Sequence, residues 1–368
     1  APGTGYGGLE HRWSSSLVCA RDNLPQRGDD DVSDGYRTFL GLASHEYFHL
    51  WNIKRLKPSA FMPYELAAES YTSLLWVFEG ITSYYDDLAL VRSGLITEKS
   101  YLELLGKTIT RVLRSGGRHR QSVAESSFDA WTKFYQQDAN AINSIVSYYA
   151  KGSLIALVLD LKLRAETDGR VSLDDVMQEC WRRWGQGADG MPEQGFEAVS
   201  GEVSGLDLAD FFAAAVRGTG ELPLQAMLKT HGIDYLPRQT SGRQDDGGKP
   251  SSDKKPAPLW LGARLVDSNG KLAFAAVLNG GPAELAGVAA GDVVVALDGV
   301  ALTAANCDQR LRSYHDGDKL ELVVFRGDEL IRTTIRLQKP PVDTCYLQAS
   351  ADAGADIEAR RAVWLHVD

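Results

Sequence analysis

The sequence predicts a multidomain α+β protein: a mainly helical first region followed by a small β-rich domain. Three observations lead there. From Tyr36 to about Tyr235 apolar residues recur at helical spacing, and from Arg238 to Ala257 no large apolar residue occurs. Beyond that, short β-type runs alternate with Gly and Asp turns. With 368 residues, 44% hydrophobic and 24% charged, the chain is long enough for two or three domains.

Residues 1 to about 35 mix β-type runs ("HRWSSSLVCA") with turn formers ("RDNLPQRGDDD"), which predicts a few strands and a loop. Ser33 or Asp34 is placed to cap the helix that follows. Helical runs then succeed one another: "YRTFLGLASHEYFHLWNIKRL", "SYTSLLWVFEGITSYYDDLALVRSG", "SYLELLGKTITRVLRSGG", "SIVSYYAKGSLIALVLDLKLRAETDG", "SLDDVMQECWRRWG" and "DLADFFAAAVRGTG". Ser172 with Asp175 three residues later is a capping pattern, and Gly94, Gly116, Gly169 and Gly185 stand where helices can end. These boundaries give a first domain over 1–238, a flexible linker over 239–257, a β-rich domain over 258–340 and a C-terminal extension over 341–368, which adds a strand or forms a tail.

Composition removes several functions. Lys and Arg total 39 against 49 Asp and Glu, a net charge of −10, and no basic stripe interleaved with aromatics occurs, which argues against a nucleic-acid partner. The longest apolar runs, such as "SLIALVLDL", break well short of the roughly 20 residues of a membrane-spanning helix. Cys19, Cys180, Cys307 and Cys345 are far apart without a C-x-x-C pair, so they read as simple buried thiols. The opening "APGTGYGGLEHRW" carries no initiator Met and no leader pattern, and is expected to belong to a longer or processed protein. The compartment is not legible.

The chemistry concentrates in "SHEYFHLW". His45 and His49 are four apart, so on a helix both imidazoles project from one face and can share one metal ion. Glu46 can reach a metal-bound water without being a ligand, as in the H-E-x-x-H zinc hydrolases. A water-activating zinc needs a third ligand, and two glutamates compete. Glu69 in "AAESYTS" is flanked by Ala and Ser, whereas Glu79 sits among Leu74, Leu75, Val77 and Phe78, which draw it inward. Glu79 is preferred. Asn52 and Ser83 are expected to support the ligands.

The stretches "GGLEHRWSS", "HEYFHLWNIKRLKP", "LWVFEGITSYYDDL" and "YYAKGSLIALVLD", in that order, resemble the glycyl aminopeptidase family of gluzincins. The resemblance implies a thermolysin-like helical catalytic domain, one Zn2+ per chain, and peptides with a free N-terminal Gly or Ala as substrates. It implies His45, His49 and Glu79 as ligands and Glu46 as general base. The "YAKG" match implies Tyr149 as oxyanion donor, with Tyr148 as a packing neighbour. "GGLEH" is similar to the G-x-M-E-N strand of related aminopeptidases. That implies Glu10 as anchor for the substrate amine and Gly7 and Gly8 as points of close backbone approach; His11 departs from the Asn of that pattern. The related families carry a β-rich domain before this strand, which the resemblance makes a partner region of the same protein.

"LWLGARL" followed by "LNGGPAELAGVAAGDVVVALDG" looks like a bacterial PDZ domain. This implies that the loop Trp260, Leu261, Gly262 and Ala263 offers backbone N–H groups to a peptide carboxylate, with "TAANCDQRLRSY" as the helix across the groove. The alternative is a PDZ fold whose groove is blocked or serves only as an interdomain prop. Two other functions stay open: a zinc endopeptidase, and a peptide-binding scaffold with a vestigial zinc site.

Overall fold

The computed structural model describes residues 5–28, 32–187, 189–251, 256–268 and 270–366. Residues 1–4 of the first predicted domain, 252–255 of the predicted linker and 367–368 of the extension lie outside the described residues. The chain opens with a hairpin, β1 (Gly7–Glu10) paired antiparallel with β2 (Ser15–Val18). Helices follow: α1 (Asp34–Phe48), α2 (Ile81–Arg92), α3 (Glu98–Leu113), α4 (Val123–Phe128), α5 (Ala141–Ser144), α6 (Ala150–Glu166), α7 (Leu173–Cys180), α8 (Gly195–Ser204), α9 (Ala209–Phe212) and α10 (Leu224–Lys229), then strand β3 (Ile233–Arg238).

Local signals explain several boundaries. Ser33 caps α1 by accepting from the Tyr36 N–H, and Ser172 with Asp175 forms a capping box on α7. Gly94 and Gly169 take left-handed φ angles just beyond α2 and α6, where a side chain would be strained. The run expected to form a helix through "SYTSLLWVFEG" is helical only from Trp76. Residues Trp76–Gly80 form a π-turn that feeds α2.

Helix α6 is the axis of the first core. All but three of its residues are buried, so no amphipathic stripe marks it, as expected of a helix surrounded by others. Its Asp160 is fully buried yet fully used: it accepts from Tyr84, from Arg164 and from the Leu173 N–H.

Residues 258–340 form a separate hydrophobic cluster. Its strands β4 (Ala263–Ser268), β5 (Lys271–Val277), β6 (Val293–Leu297), β8 (Lys319–Arg326) and β9 (Glu329–Arg336) lie in that spatial order, with β7 (Val300–Ala301) on β6. Short helices α11 (Pro282–Leu285) and α12 (Cys307–Leu311) complete it.

The predicted linker and extension behave differently from their composition. Arg238 pairs with Asp245, Arg114 donates to the Asp245 carbonyl, and Gly248 packs so closely on α3 that a Cβ would meet the Glu103 carbonyl at 2.3 Å. Without apolar residues, the segment is held by charge and by backbone contact. The C-terminal stretch returns to the first region: β10 (Thr344–Ala349) pairs antiparallel with β3, and α13 (Ala355–Leu365) buries Trp364 against Tyr101 and His231. Among the described residues no helix is long and apolar enough to cross a membrane.

His231 makes this docking pH-sensitive. It is fully buried, and burial pushes its pKa down to about 4, with Arg164 and Arg360 adding to the effect. A depressed histidine pKa leaves the folded state unprotonated while the unfolded chain, at its ordinary value of about 6.5, takes up a proton. Stability attributable to this group is therefore intact above pH 6.5 and falls as pH drops toward 4. We expect a loss of about 2.5 kcal/mol between pH 7 and 4.5. Urea midpoints at the two pH values, compared with those of His231→Gln, check it; an equal pH loss in both proteins defeats the expectation.

Candidate metal centre

Helix α1 presents His45 and His49 from one face, their rings 4.6 Å apart and nearly perpendicular. Their Nε2 atoms converge on one oxygen of Glu79, each at 3.3 Å. One ligand atom from each of the three side chains lies within 4.8 Å of the others, a spacing able to hold a metal ion. Glu69 is not in this group: its carboxylate accepts from the nearby Tyr71 hydroxyl.

Each histidine is held from behind. His45 Nδ1 lies 3.0 Å from Asp86 Oδ2 on α2, and His49 Nδ1 donates to the Asn52 carbonyl at 2.8 Å. Both Nε2 atoms therefore face the shared centre. The Asn52 side chain then donates to the Val77 and Phe78 carbonyls and to Thr82 Oγ1. Those carbonyls belong to the π-turn that carries Glu79, so one buried amide ties the histidine helix to the carboxylate turn. These hydrogen bonds come from Asn52 and Asp86 rather than Ser83. The role of Asp86 was missed in the sequence; its place about two helical turns beyond Glu79 in "YYDDL" was the available signal.

The charges are balanced within the centre. For His45, burial alone would lower the pKa, but hydrogen bonds to Asp86 and Glu79 reverse this and raise it to about 10. Burial would raise Glu79, yet the two histidines bring it down to about 2. Glu46 is 6% exposed, and burial pushes its pKa up against the opposing charges of His49 and His45.

Glu10, Glu46 and His49 form a second group of close ligand atoms, so the predicted amine anchor and the predicted base share one pocket. Lys54 Nζ holds Glu10 at 2.9 Å. The close approach at Gly8 comes from within the chain: a Cβ there would lie 2.0 Å from Glu46 Oε1, whereas one at Gly7 would meet nothing. His11 is exposed, and its N–H bonds the Ser14 carbonyl in the turn of the β1–β2 hairpin.

Tyr149 reaches the same centre from the start of α6, its ring 6.3 Å from that of His45. Its position follows from two glycines. A Cβ on Gly80 would lie 2.7 Å from Gly152 Cα, and one on Gly152 would lie 3.0 Å from Gly80 Cα. The residue after Glu79 thus touches the last residue of "YAKG", backbone to backbone. Tyr149 Oη is 3.0 Å from the hydroxyl of Tyr135, which Tyr148 also approaches at 3.3 Å; Tyr148 itself is buried. Burial, then the charge of Glu79, raises the pKa of Tyr149, keeping it a hydrogen donor.

At the far loop, the Trp260 N–H is spent on the Gln338 carbonyl, and Gly262 packs on Gly281 and Pro282 at a left-handed φ of 71°. Ala263 begins β4, an edge strand of its sheet. Among the described residues the N–H groups of Leu261 and Gly262 make no backbone hydrogen bond.

Residues 38–155, which carry His45, His49 and Glu79, match the model of the M61 glycyl aminopeptidase family. That span is similar to M61 peptidases. A crystal structure of an aminopeptidase N family protein from Idiomarina loihiensis is 42% identical and superposes with a TM-score of 0.93. The alignment covers 99% of this chain and 61% of that one, so the chain spans under two thirds of that protein's length. An HtrA-type protease with a decapeptide (21% identity, 27% of this chain, 32% of that chain) and the photosystem II D1 C-terminal processing protease (16%, 51%, 44%) align with TM-scores of 0.22, too low to establish a shared fold. Among curated proteins none matches.

Two outcomes follow. With the pKa of His45 raised to about 10 by Asp86 and Glu79 and that of His49 raised by Glu79, zinc uptake at pH 7.5 is expected to release at least one proton. Calorimetry in buffers of different ionisation enthalpy reads this, and uptake without release would contradict the arrangement. Gly80→Ala is expected to cost about 1–3 kcal/mol and to weaken zinc binding by moving Glu79. Unchanged metal affinity would show that the crossing does not set the site.

Proposed function

We propose that this chain is the catalytic part of a zinc-dependent aminopeptidase. The observation that carries the reading is the convergence of His45, His49 and Glu79 on one point with Glu46 and Glu10 beside it. The match to glycyl aminopeptidases and the likeness to an aminopeptidase N family protein support a peptidase.

The donor set of two imidazoles and a carboxylate, with both Nε2 atoms aimed inward, fits zinc. Bound there, zinc would polarise a peptide carbonyl and bring a water's pKa to roughly 7. Glu46, its basicity raised by burial, is placed to accept a proton from an attacking water and to hand it to the leaving amine. Tyr149, neutral over the working pH range, donates to the oxyanion. Glu10, steadied by Lys54, accepts the substrate α-ammonium with its free lone pairs. Gly or Ala as the preferred first residue is carried by the family resemblance alone.

The β-rich unit is read as a PDZ domain that receives a peptide along the edge of β4. The N–H groups of Leu261 and Gly262 at the head of that strand, which make no backbone hydrogen bond among the described residues, support this.

The deciding comparison is hydrolysis of a Gly- or Ala-initiated peptide against its N-acetylated twin, with Glu46→Gln as control. We expect cleavage of the free amine only and a loss of about 10²–10⁴-fold in the control. Equal cleavage of the acetylated twin would make this an endopeptidase. Stoichiometric zinc without turnover of either peptide would favour a binding scaffold.

A further inference from the structure

The centre uses only part of the stretch "NIKRLKP" at residues 52–58. Asn52 and Lys54 serve it, but Arg55 and Lys57 do not. Between them the backbone is strained: Ile53 has a φ of 109°, a region that a β-branched residue rarely enters. The strain is held by bonds from Ile53 N–H to Leu56 O, Lys54 N–H to His49 O and Leu56 N–H to Trp51 O. Such over-determined kinks cluster at functional sites. This one turns Arg55 under the ring of Trp13, 4.9 Å from its centroid, with Arg12 at 5.8 Å from the same ring.

Arg12, Arg55 and Lys57 line a cavity of about 230 Å³ together with Met62, Trp181 and Gln186. None of the residues lining it is acidic. Among the described residues none of the three cations has a carboxylate partner, although the chain carries ten more acids than bases. Lys57 is only 7% exposed, and its ammonium meets the hydroxyl and ring of Tyr64, both neutral. A buried cation with neutral neighbours is completed by an anion. The cavity also adjoins the catalytic pocket: Arg12 Nη1 donates to the Lys54 carbonyl at 3.4 Å, and Lys54 Nζ binds Glu10.

We propose that this cavity binds a carboxylate of the peptide substrate, so that the enzyme reads a negative charge as well as the free amine. The proposal rests on the peptide reading of the metal centre. Guanidinium forks match a carboxylate in two parallel hydrogen bonds, and the buried ammonium supplies a third donor. The carboxylate comes either from the peptide's C-terminus or from an acidic side chain.

Binding rather than cleavage tests it, using zinc-loaded protein carrying Glu46→Gln so that peptides survive. The probes are Ala-Ala-Ala, its C-terminal amide and Ala-Asp-Ala amide, titrated calorimetrically. At least one acid is expected to bind about tenfold tighter than the neutral amide, against the chain's net negative charge, and the acid that does so identifies the source. The preference should fall to about one in Arg55→Gln and in Lys57→Met. Arg55 is half-buried and outside the hydrophobic core, so its variant carries the test if Lys57→Met fails to fold. Equal affinity for all three peptides, or a preference that survives Arg55→Gln, overturns the proposal. So does competition by inorganic phosphate at a site indifferent to the peptides' charge. Cleavage of an acetylated peptide would change the proposed activity and leave this ratio untouched, so the two readings fail separately.

Discussion

The contact between Gly80 and Gly152 is the constraint from which the centre is built. Two helical segments meet there without side chains between them. One carries Glu79 in the preceding position, and the other has Tyr149 three residues earlier. Any larger residue at either glycine would separate the carboxylate proposed as third metal ligand from the hydroxyl proposed to face it. The crossing is supported by burial on all sides, with Trp76 and Leu154 both nearly inaccessible, so that close packing holds the separation fixed.

Around that crossing, polar groups pair across neighbouring segments. Asn52 answers the carbonyls that a π-turn leaves open and at the same time orients His49. Asp86 does the same for His45, while accepting the Asp87 N–H with its other oxygen. Each unpaired group here would cost roughly 1–3 kcal/mol, so the network is specific because its alternatives are expensive. Two buried atoms stand apart: Asn52 Oδ1 and Glu46 Oε2 have no partner, the latter beside a glycine that leaves room for nothing larger. A carboxylate left with an open lone pair at such a place is suited to taking a proton.

Much of this was legible in the sequence because the signals are local. The i, i+4 histidines, the apolar setting of Glu79 and the capping residues Ser33 and Ser172 all act within one or two helical turns. What was not legible depends on segments far apart in the chain. Asp86 gains its role only when α2 is laid beside α1, and Tyr135 meets Tyr149 through a loop whose path no periodicity records. The segment after Arg238 has the composition of a flexible linker, yet glycines fitted against α3 and the Arg238–Asp245 pair hold it. Composition reports the absence of apolar burial, and cannot report burial of backbone.

The pairing of β3 with β10 sets how the β-rich unit relates to the metal centre. The chain leaves the first region through β3 and re-enters through β10, antiparallel and in continuous register from Ile233–Ala349 to Arg238–Thr344. The unit between them therefore behaves as an insertion with its two ends side by side, and beyond β10 the chain is fastened by Trp364, which donates to Tyr84 of the buried Tyr84–Asp160 network. Among the described residues, Arg114 donates to the Asp245 carbonyl and to Asp343 at the base of this insertion, and Asn143 clasps its β-rich part, donating to the Val277 carbonyl and accepting the Asn279 N–H. Asn143 lies six residues before Tyr149, and Val277 ends the strand that pairs with β4. The edge strand proposed to receive a peptide and the tyrosine facing the histidines are thus joined by one strand, one amide and a short loop. That short path gives the inserted unit a physical means of bearing on the site.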